Sequence, residues 1–288
     1  MTSTGPVAVR RRRRPLRVVR VSLTTALLVL VAAYVLLPIV WILLATTKDG
    51  QQLVQLPAFA VPGRIMLGPN LREVLTAGGG IFVRWLVNSF GYGLLIAVGS
   101  TYLAALAGYA LAKLDFFGRR ALAGLVVASL MVPSTVLVIP IFILESRVHL
   151  TNTYPGVILP LLLSAFAVWF MMVYANEALP GELIEAAQVD GAGQWRIFHR
   201  VALPLLRPGL ATLLLISFVT TWNNYFLPLV LLENQRLFPV TVALITVMGG
   251  GTAQIMGTAI SILPTLILFP FLQRAVSRGL SLGSAGID

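Results

Sequence analysis

The sequence predicts an all-α polytopic membrane protein with six transmembrane helices, and three observations carry that prediction. Of 288 residues, 58% are apolar and only 11% are charged, whereas an ordinary soluble domain carries about 25% charged residues. The apolar residues are gathered into six windows, at 21–44, 85–111, 121–144, 155–175, 205–231 and 255–272. A helix rises 1.5 Å per residue, so about 20 apolar residues cross a hydrocarbon core about 30 Å thick. The basic residues, finally, lie between the windows and favour one side of the membrane.

Residues 1–20 form a basic tail holding Arg10 to Arg14, Arg17 and Arg20. Such a run serves nucleic-acid binding, targeting or topology. It leads straight into an apolar window, so the topological reading is taken and the formal charge of +11 is no nucleic-acid footprint. Window 21–44 exceeds the 7–15 apolar residues of a secretory signal, and no small-x-small cleavage site follows. It reads as an uncleaved anchor.

Residues 45–84, rich in Pro, Gly and Gln, read as an irregular extracytoplasmic segment. Windows 85–111 and 205–231 are longer than a bilayer needs, so part of each is expected outside the core. Pro133 and Pro140 are expected to kink the third window. Residues 237–251 are apolar but too short to span, which predicts an interfacial or re-entrant helix. The transmembrane domain is read as 21–276, with a C-terminal tail at 277–288. With the N-terminus inside, 15 of the 21 Lys and Arg fall on the cytoplasmic side, so both termini are placed there. Without the first run the score is still eight to six.

Several chemistries are missing. There is no cysteine, hence no disulfide and no thiolate chemistry. His149 and His199 lack metal-ligand spacing and read as solvated loop residues. No P-loop, nucleophile elbow or His-Glu-x-x-His occurs. Five of the six windows contain no Asp, Glu, Lys, Arg or His, and the fifth has only Arg207, at its cytoplasmic edge. Proton-coupled carriers use ionisable groups at membrane depth, although sodium carriers can use backbone carbonyls. A secondary carrier or channel with no ATPase partner is therefore the lesser alternative, and an enzyme has no reactive constellation. Uphill transport would draw its energy from elsewhere.

The connection 180–204 suggests where. Pro180 followed by Glu182 and Glu185 makes a good helix start, because the helix dipole favours acids in the first turn. Leu183, Ile184, Ala187 and Val189 outline an apolar face. Gly191 is expected to end this helix in the left-handed conformation. A second helix over 194–200 would present Trp195 and Phe198 on one side, and Pro204 would open the fifth span. Anionic headgroups repel an acidic helix, which favours docking into a protein partner.

Glu185-Ala186-Ala187, Gly191 and Val201-x-Leu203-Pro204 together match the EAA loop of ABC importer permeases, with Val201 in place of the usual Ile. Asp190-Gly191-Ala192 and Trp222-Asn223-Asn224-Tyr225-Phe226 resemble the carbohydrate-uptake branch, similar to the second permease subunit of maltose-type systems. The resemblance covers nearly all of residues 20–280. It implies a type I importer permease fold in a bacterial-type inner membrane, forming half of a pathway for a sugar or sugar-like solute. It implies ATPase coupling through Glu185, Ala186, Ala187, Asp190, Gly191, Leu203 and Pro204. It also implies two ABC ATPase subunits, a sister permease and an extracytoplasmic binding protein as partners. This chain would bind no cofactor, ATP and Mg belonging to the ATPase.

In the fifth window Ser217, Thr220, Thr221 and Asn224 share one helical face, about 25–27 Å from the inner edge at Asn223. Polar side chains avoid lipid, so they either line a pathway or bond neighbouring helices. Asn223, Asn224 and Tyr225 are the candidates for pathway lining, since amides and aromatic rings suit hydroxylated solutes.

Overall fold

The computed structural model describes residues 14–283. Arg10 to Arg13 of the basic tail and residues 284–288 of the C-terminal tail lie outside the described residues. The chain divides at Leu67 and Gly68 into two compact units.

In the first unit, α1 (Arg14–Ala45) already begins within the segment read as a tail. Leu27, Leu30, Tyr34 and Leu37 are exposed along it, as suits a helix whose solvent is lipid. Thr46 and Thr47 donate their hydroxyls to the carbonyls of Leu43 and Leu44, at 2.7 and 2.6 Å, occupying acceptors that a helix end leaves open. Asp49 then caps α2 (Gly50–Gln55): its carboxylate accepts from the Gln52 N–H, and the Gln52 side chain accepts from the Asp49 N–H. This is a capping box. The buried Lys48 donates Nζ to the carbonyls of Pro57 and Ala58, at 2.9 and 3.0 Å. The segment read as irregular thus contains a capped helix and a lysine-held turn, because local capping outweighs its Pro and Gly content.

The second unit is built around α4 (Phe82–Lys113), preceded by α3 (Leu67–Gly80). At 32 residues α4 is about 48 Å long, well beyond a hydrocarbon core. The third window is two helices, α5 (Arg119–Ser129) and α6 (Val138–Arg147), joined through a 3₁₀ turn at Ser134–Leu137 and bent by 99°. Pro133 sits at the break in an extended conformation. Pro140 falls in the first turn of α6, where no intrahelical N–H is lost. One proline breaks the window; the other is tolerated.

Next come α7 (Tyr154–Leu162) and α8 (Ala165–Ala178), capped by the hydroxyls of Thr153 and Ser164. The chain continues through α9 (Gly181–Val189), α10 (Gln194–Ile197), a π-helical turn at Phe198–Ala202 and α11 (Leu203–Leu205). Then follow α12 (Arg207–Trp222), α13 (Phe226–Leu231), α14 (Val240–Thr246) and α15 (Gly251–Gly283).

Two buried clusters lie along α4. One joins Trp85, Tyr92 and Ile96 to Phe218, Trp222, Leu231 and Val240. The other joins Ala104, Ala105 and Tyr109 to Met171, Ile184, Phe198 and Leu213. In the second, α4 and α8 approach so closely at Gly108 that a Cβ there would lie 2.7 Å from the Met171 backbone. Small residues permit such contacts between membrane helices.

The short apolar segment at 237–251 forms α14, whose Val240, Val242, Ala243 and Leu244 are buried in protein. The 3₁₀ turn Gln235–Leu237 and the residues leading from it into α14 are held by α4. Trp85 Nε1 donates to the Gln235 carbonyl at 2.8 Å, Arg84 Nε to that of Arg236 at 2.9 Å, and the Tyr92 hydroxyl to that of Leu237 at 3.0 Å. Asn88 Nδ2 reaches the carbonyls of Arg236 and Phe238, at 2.9 and 3.0 Å. Ser89 Oγ accepts from the Val240 N–H at 2.7 Å.

Candidate coupling surface and the break in the fifth span

The α9 helix starts after Pro180, which is extended (φ −62°, ψ 135°), and carries Glu182 in its first turn. It ends in a Schellman arrangement. Gly191 has φ +77°, its N–H donates to the Gln188 carbonyl at 2.9 Å, and the Ala192 N–H donates to that of Ala187 at 3.0 Å. Ala187 and Ala192 both pack against the second cluster. Asp190 is the C-cap residue and is exposed. The left-handed glycine read from the sequence is therefore where the turn occurs.

The apolar face of α9 is narrower than its sequence suggests. Ile184 is buried, but Leu183 and Val189 are exposed. Glu182, Glu185, Ala186 and Val189 follow i, i+3, i+4, i+7 spacing and are exposed, opposite Ile184 and Ala187. Trp195 and Phe198 do share a side, with their ring centroids 6.4 Å apart, but they differ in burial. Phe198 is 2% exposed and meets the Tyr109 ring at 5.4 Å, whereas Trp195 is 66% exposed and covers His199 at 4.4 Å. The result is a rigidly capped ridge presenting Leu183, Val189 and Trp195 beside Glu182, Glu185 and Asp190. Exposed apolar groups within a polar rim are common to protein and membrane interaction sites.

Behind the ridge, Ile197, Phe198, Ala202 and Leu206 are buried in the second cluster. Leu203 and Pro204 are half-buried and belong to α11, before the span. The fifth span opens instead at Arg207, with Pro208 in its first turn, and it is bent by 79° from the 194–205 segment. Pro204 is accommodated because the preceding turn is π-helical. His199 is no solvated loop residue. It lies in that turn, with Nδ1 2.9 Å from the Trp195 carbonyl and Nε2 3.1 Å from the Tyr102 hydroxyl. No sequence signal marks this pairing, because its partners are 97 residues apart.

At the other end of α12 the helix stops at Trp222, so window 205–231 is not one helix. Asn223 Nδ2 donates to the Val219 carbonyl at 2.8 Å, and the Asn224 carbonyl accepts from the Thr241 hydroxyl at 3.1 Å. Asn223 is exposed, while Asn224 and Tyr225 are half-buried. Trp222 turns into the first cluster and stacks on Phe218 at 5.7 Å. Thr220 is exposed and donates its hydroxyl to the Ile216 carbonyl of its own helix, at 2.7 Å. Ser217 and Thr221 are half-buried. The Asn223–Tyr225 stretch is thus a break at the end of a 16-residue helix. Among the described residues no group of His, Asp and Glu is arranged to hold a metal ion.

Apolar spans, two of them broken, and an acidic capped ridge leading into the fifth define a multi-pass membrane transport subunit. The chain belongs to the family of binding-protein-dependent transport system inner membrane components, whose family model matches residues 100–282. It is 32% identical over 271 residues to the arabinooligosaccharides transport system permease protein of Bacillus subtilis, covering 92% of this chain and 95% of that one. It is 33% identical to the trehalose transport system permease protein of Mycobacterium tuberculosis, covering 88% and 94%. Among solved structures it resembles a bacterial ABC transporter involved in the import of the acidic polysaccharide alginate, with TM-score 0.76 and 25% identity over 94% of this chain and 99% of that one. The protein is therefore an inner-membrane permease subunit of an ABC importer with the type I permease fold, and not an enzyme.

Proposed function

We propose that this chain forms half of the translocation pathway for a sugar or sugar-like solute, delivered by an extracytoplasmic binding protein and driven by a separate ATPase. The transport systems named for its relatives handle arabinooligosaccharides, trehalose, lactose and sn-glycerol-3-phosphate, which supports a polyhydroxylated solute. The partners are two ATPase subunits, which carry ATP and Mg, and a sister permease. Both termini and the α9–α11 connection face the cytoplasm.

The observation that carries the coupling role is the exposed ridge on a helix locked at its C-terminus. Glu185 offers the ATPase an acidic contact, and Ala186 allows close approach beside it. Ala187 and Gly191 fix the turn, and Asp190 extends the acidic edge. Leu203 and Pro204 form the joint through which displacement of the ridge reaches α12. At the far end of α12, Asn223, Asn224 and Tyr225 offer amide and phenol groups to the passing solute.

The test is ATP-driven uptake by the complete importer in proteoliposomes. Glu185→Arg places a cation where an acid is required. It should lower uptake at least about tenfold, the scale of losing one charged contact, while the complex still inserts and its binding protein still binds solute. Undiminished uptake by this variant would refute the coupling role. Uptake driven by an ion gradient without ATP would overturn the importer reading itself.

A further inference from the structure

The chain that joins the ridge to the fifth span runs through residues 198–206, where α10 gives way to the π-helical turn, α11 and the 79° bend before α12. A π-helical turn holds one residue more than the α-helical winding it interrupts, and such turns are frequent at functional sites. A return to α-helical winding would shift every later residue by one position, about 100° round the helix axis. Leu206, buried in the second cluster, would then face elsewhere. The rotational setting of this turn therefore decides how α12 is aimed.

His199 is tied to that setting at both ring nitrogens. Nδ1 lies 2.9 Å from the Trp195 carbonyl, which only accepts, so Nδ1 carries the proton. In the neutral ring Nε2 then accepts from the Tyr102 hydroxyl of α4, at 3.1 Å. Rings surround the imidazole, with Trp195 at 4.4 Å, Phe198 at 4.9 Å and Tyr102 at 6.2 Å. Among the described residues one other side-chain hydrogen bond joins α4 to the connection, between Tyr109 and Gln194 at the start of α10. Only the Tyr102–His199 bond reaches the π-helical turn itself. Trp195 is also the exposed aromatic residue of the ridge, so a partner pressing there bears on the ring that covers His199.

We propose that His199 is a positioning residue for ATP-driven transport. Held by Tyr102, its imidazole sets the rotation of the π-helical turn, so displacement of Trp195 and the ridge turns α12 instead of being absorbed in the connection. Tyr102 orients His199, and both act through α12. This role rests on the coupling role proposed for the ridge.

The test measures solute uptake and ATP hydrolysis together, with the complete importer in proteoliposomes. Tyr102→Phe keeps the ring and removes only the donor to Nε2. It should lower the solute taken up per ATP hydrolysed about fivefold, the scale of one neutral hydrogen bond, with the melting temperature little changed. His199→Phe should lower that ratio at least as far. The double variant should be no worse than His199→Phe alone, because partners in one bond do not act additively. His199→Gln, whose amide oxygen still accepts from Tyr102, should recover most of the ratio. An unchanged ratio in both Tyr102→Phe and His199→Phe overturns the proposal, and so does a loss of uptake that merely follows a loss of folded importer. Losses that multiply in the double variant overturn it too, since the two residues are then separate packing contacts. Glu185→Arg is measured alongside. If it uncouples while the Tyr102 and His199 variants do not, the ridge keeps its role and His199 does not position the joint. If Glu185→Arg also keeps the full ratio, the coupling role of the ridge has failed first.

Discussion

The two halves of α4 are packed by different means. Between Arg84 and Tyr92, five side chains of the helix make six hydrogen bonds to the backbone of residues 235–240: arginine, indole, amide, hydroxyl and phenol groups all take part. From Ala104 to Ala112 the helix packs through alanines and Gly108 against α8 and the buried side of the coupling connection. Fewer polar groups reach across this stretch and its edges. Tyr102 meets His199 at 3.1 Å, Tyr109 reaches Gln194 at 3.4 Å and Lys113 the Asn176 carbonyl at 3.1 Å. Arg119 closes the helix end by bonding the Leu111 and Ala112 carbonyls. The bonds of the first stretch hold the short 3₁₀ turn at Gln235–Leu237 and the buried Phe238 against α4. Non-directional contact between small side chains loses little when helices shift slightly. The rigid half thus holds the chain that enters α14, and the smoother half underlies the ridge proposed to receive motion from the ATPase.

The largest effect is expected at the smooth half. Gly108→Leu puts a branched side chain where even a Cβ would sit 2.7 Å from the Met171 and Met172 backbone. Backbone cannot swing aside as a side-chain tip does, so overpacking should destabilise by about 3 kcal/mol or more. The helix propensity gained, about 1 kcal/mol, does not offset that. Little folded importer should be recovered by size-exclusion chromatography. Gly91→Leu is the control, since nothing lies within 4 Å of its Cβ position. Equal recovery of the two variants would remove the close α4–α8 contact as a determinant of the fold.

A smaller loss is expected at the stitched half. Asn88→Leu keeps the volume but removes donors from the carbonyls of Arg236 and Phe238. Hydrogen bonds between membrane helices average about 0.6 kcal/mol, because the unfolded state in the membrane also finds partners. A buried carbonyl left unpaired costs about 1–3 kcal/mol. Arg236 keeps a second donor in Arg84, and the Tyr154 hydroxyl, which loses its acceptor Asn88 Oδ1, belongs to an exposed residue. The unpaired Phe238 carbonyl therefore dominates and about 1–3 kcal/mol is expected. The detergent-solubilised importer should melt at a lower temperature. Its ATP-driven uptake per folded complex should be spared, because Asn88 is remote in sequence and packing from the ridge. Equal losses of stability and coupling would dissolve the distinction between the halves.

How much of this was legible in the sequence depended on how local each feature is. Hydropathy marks apolar windows because a span is a property of about 20 consecutive residues. Four helices are long and apolar enough to cross a membrane, and two bent pairs raise the number to six if each is one span. Gly191 was readable as a turn because its motif closes within six residues, from Ala187 to Ala192. The break at Asn223 was not, since window 205–231 is apolar enough to hide it and the Thr241 bond that holds it comes from 17 residues away. The i, i+3 spacing of Trp195 and Phe198 places both rings on one side, 6.4 Å apart. It does not tell that Phe198 is buried while Trp195 is exposed, because burial is set by Tyr109 of α4. The stitches from α4 join residues about 150 apart. Nothing in a single sequence pairs Asn88 with Phe238.

The smallest expected effect tests the ridge itself. At Gly191 a Cβ would meet nothing within 4 Å, so the only obstacle to substitution is φ of +77°. A non-glycine residue in the left-handed region costs about 1 kcal/mol, against a cap worth two hydrogen bonds from Gly191 and Ala192. Gly191→Ala should therefore fold normally and shift the melting temperature only slightly. Gly191→Asn should be milder still, because asparagine tolerates this conformation better than alanine. If the locked turn transmits force, ATP-driven uptake should fall in the order glycine, asparagine, alanine while overall stability barely changes. Equal uptake by all three would mean that the turn only closes the chain and that coupling runs through α10 and the buried Phe198.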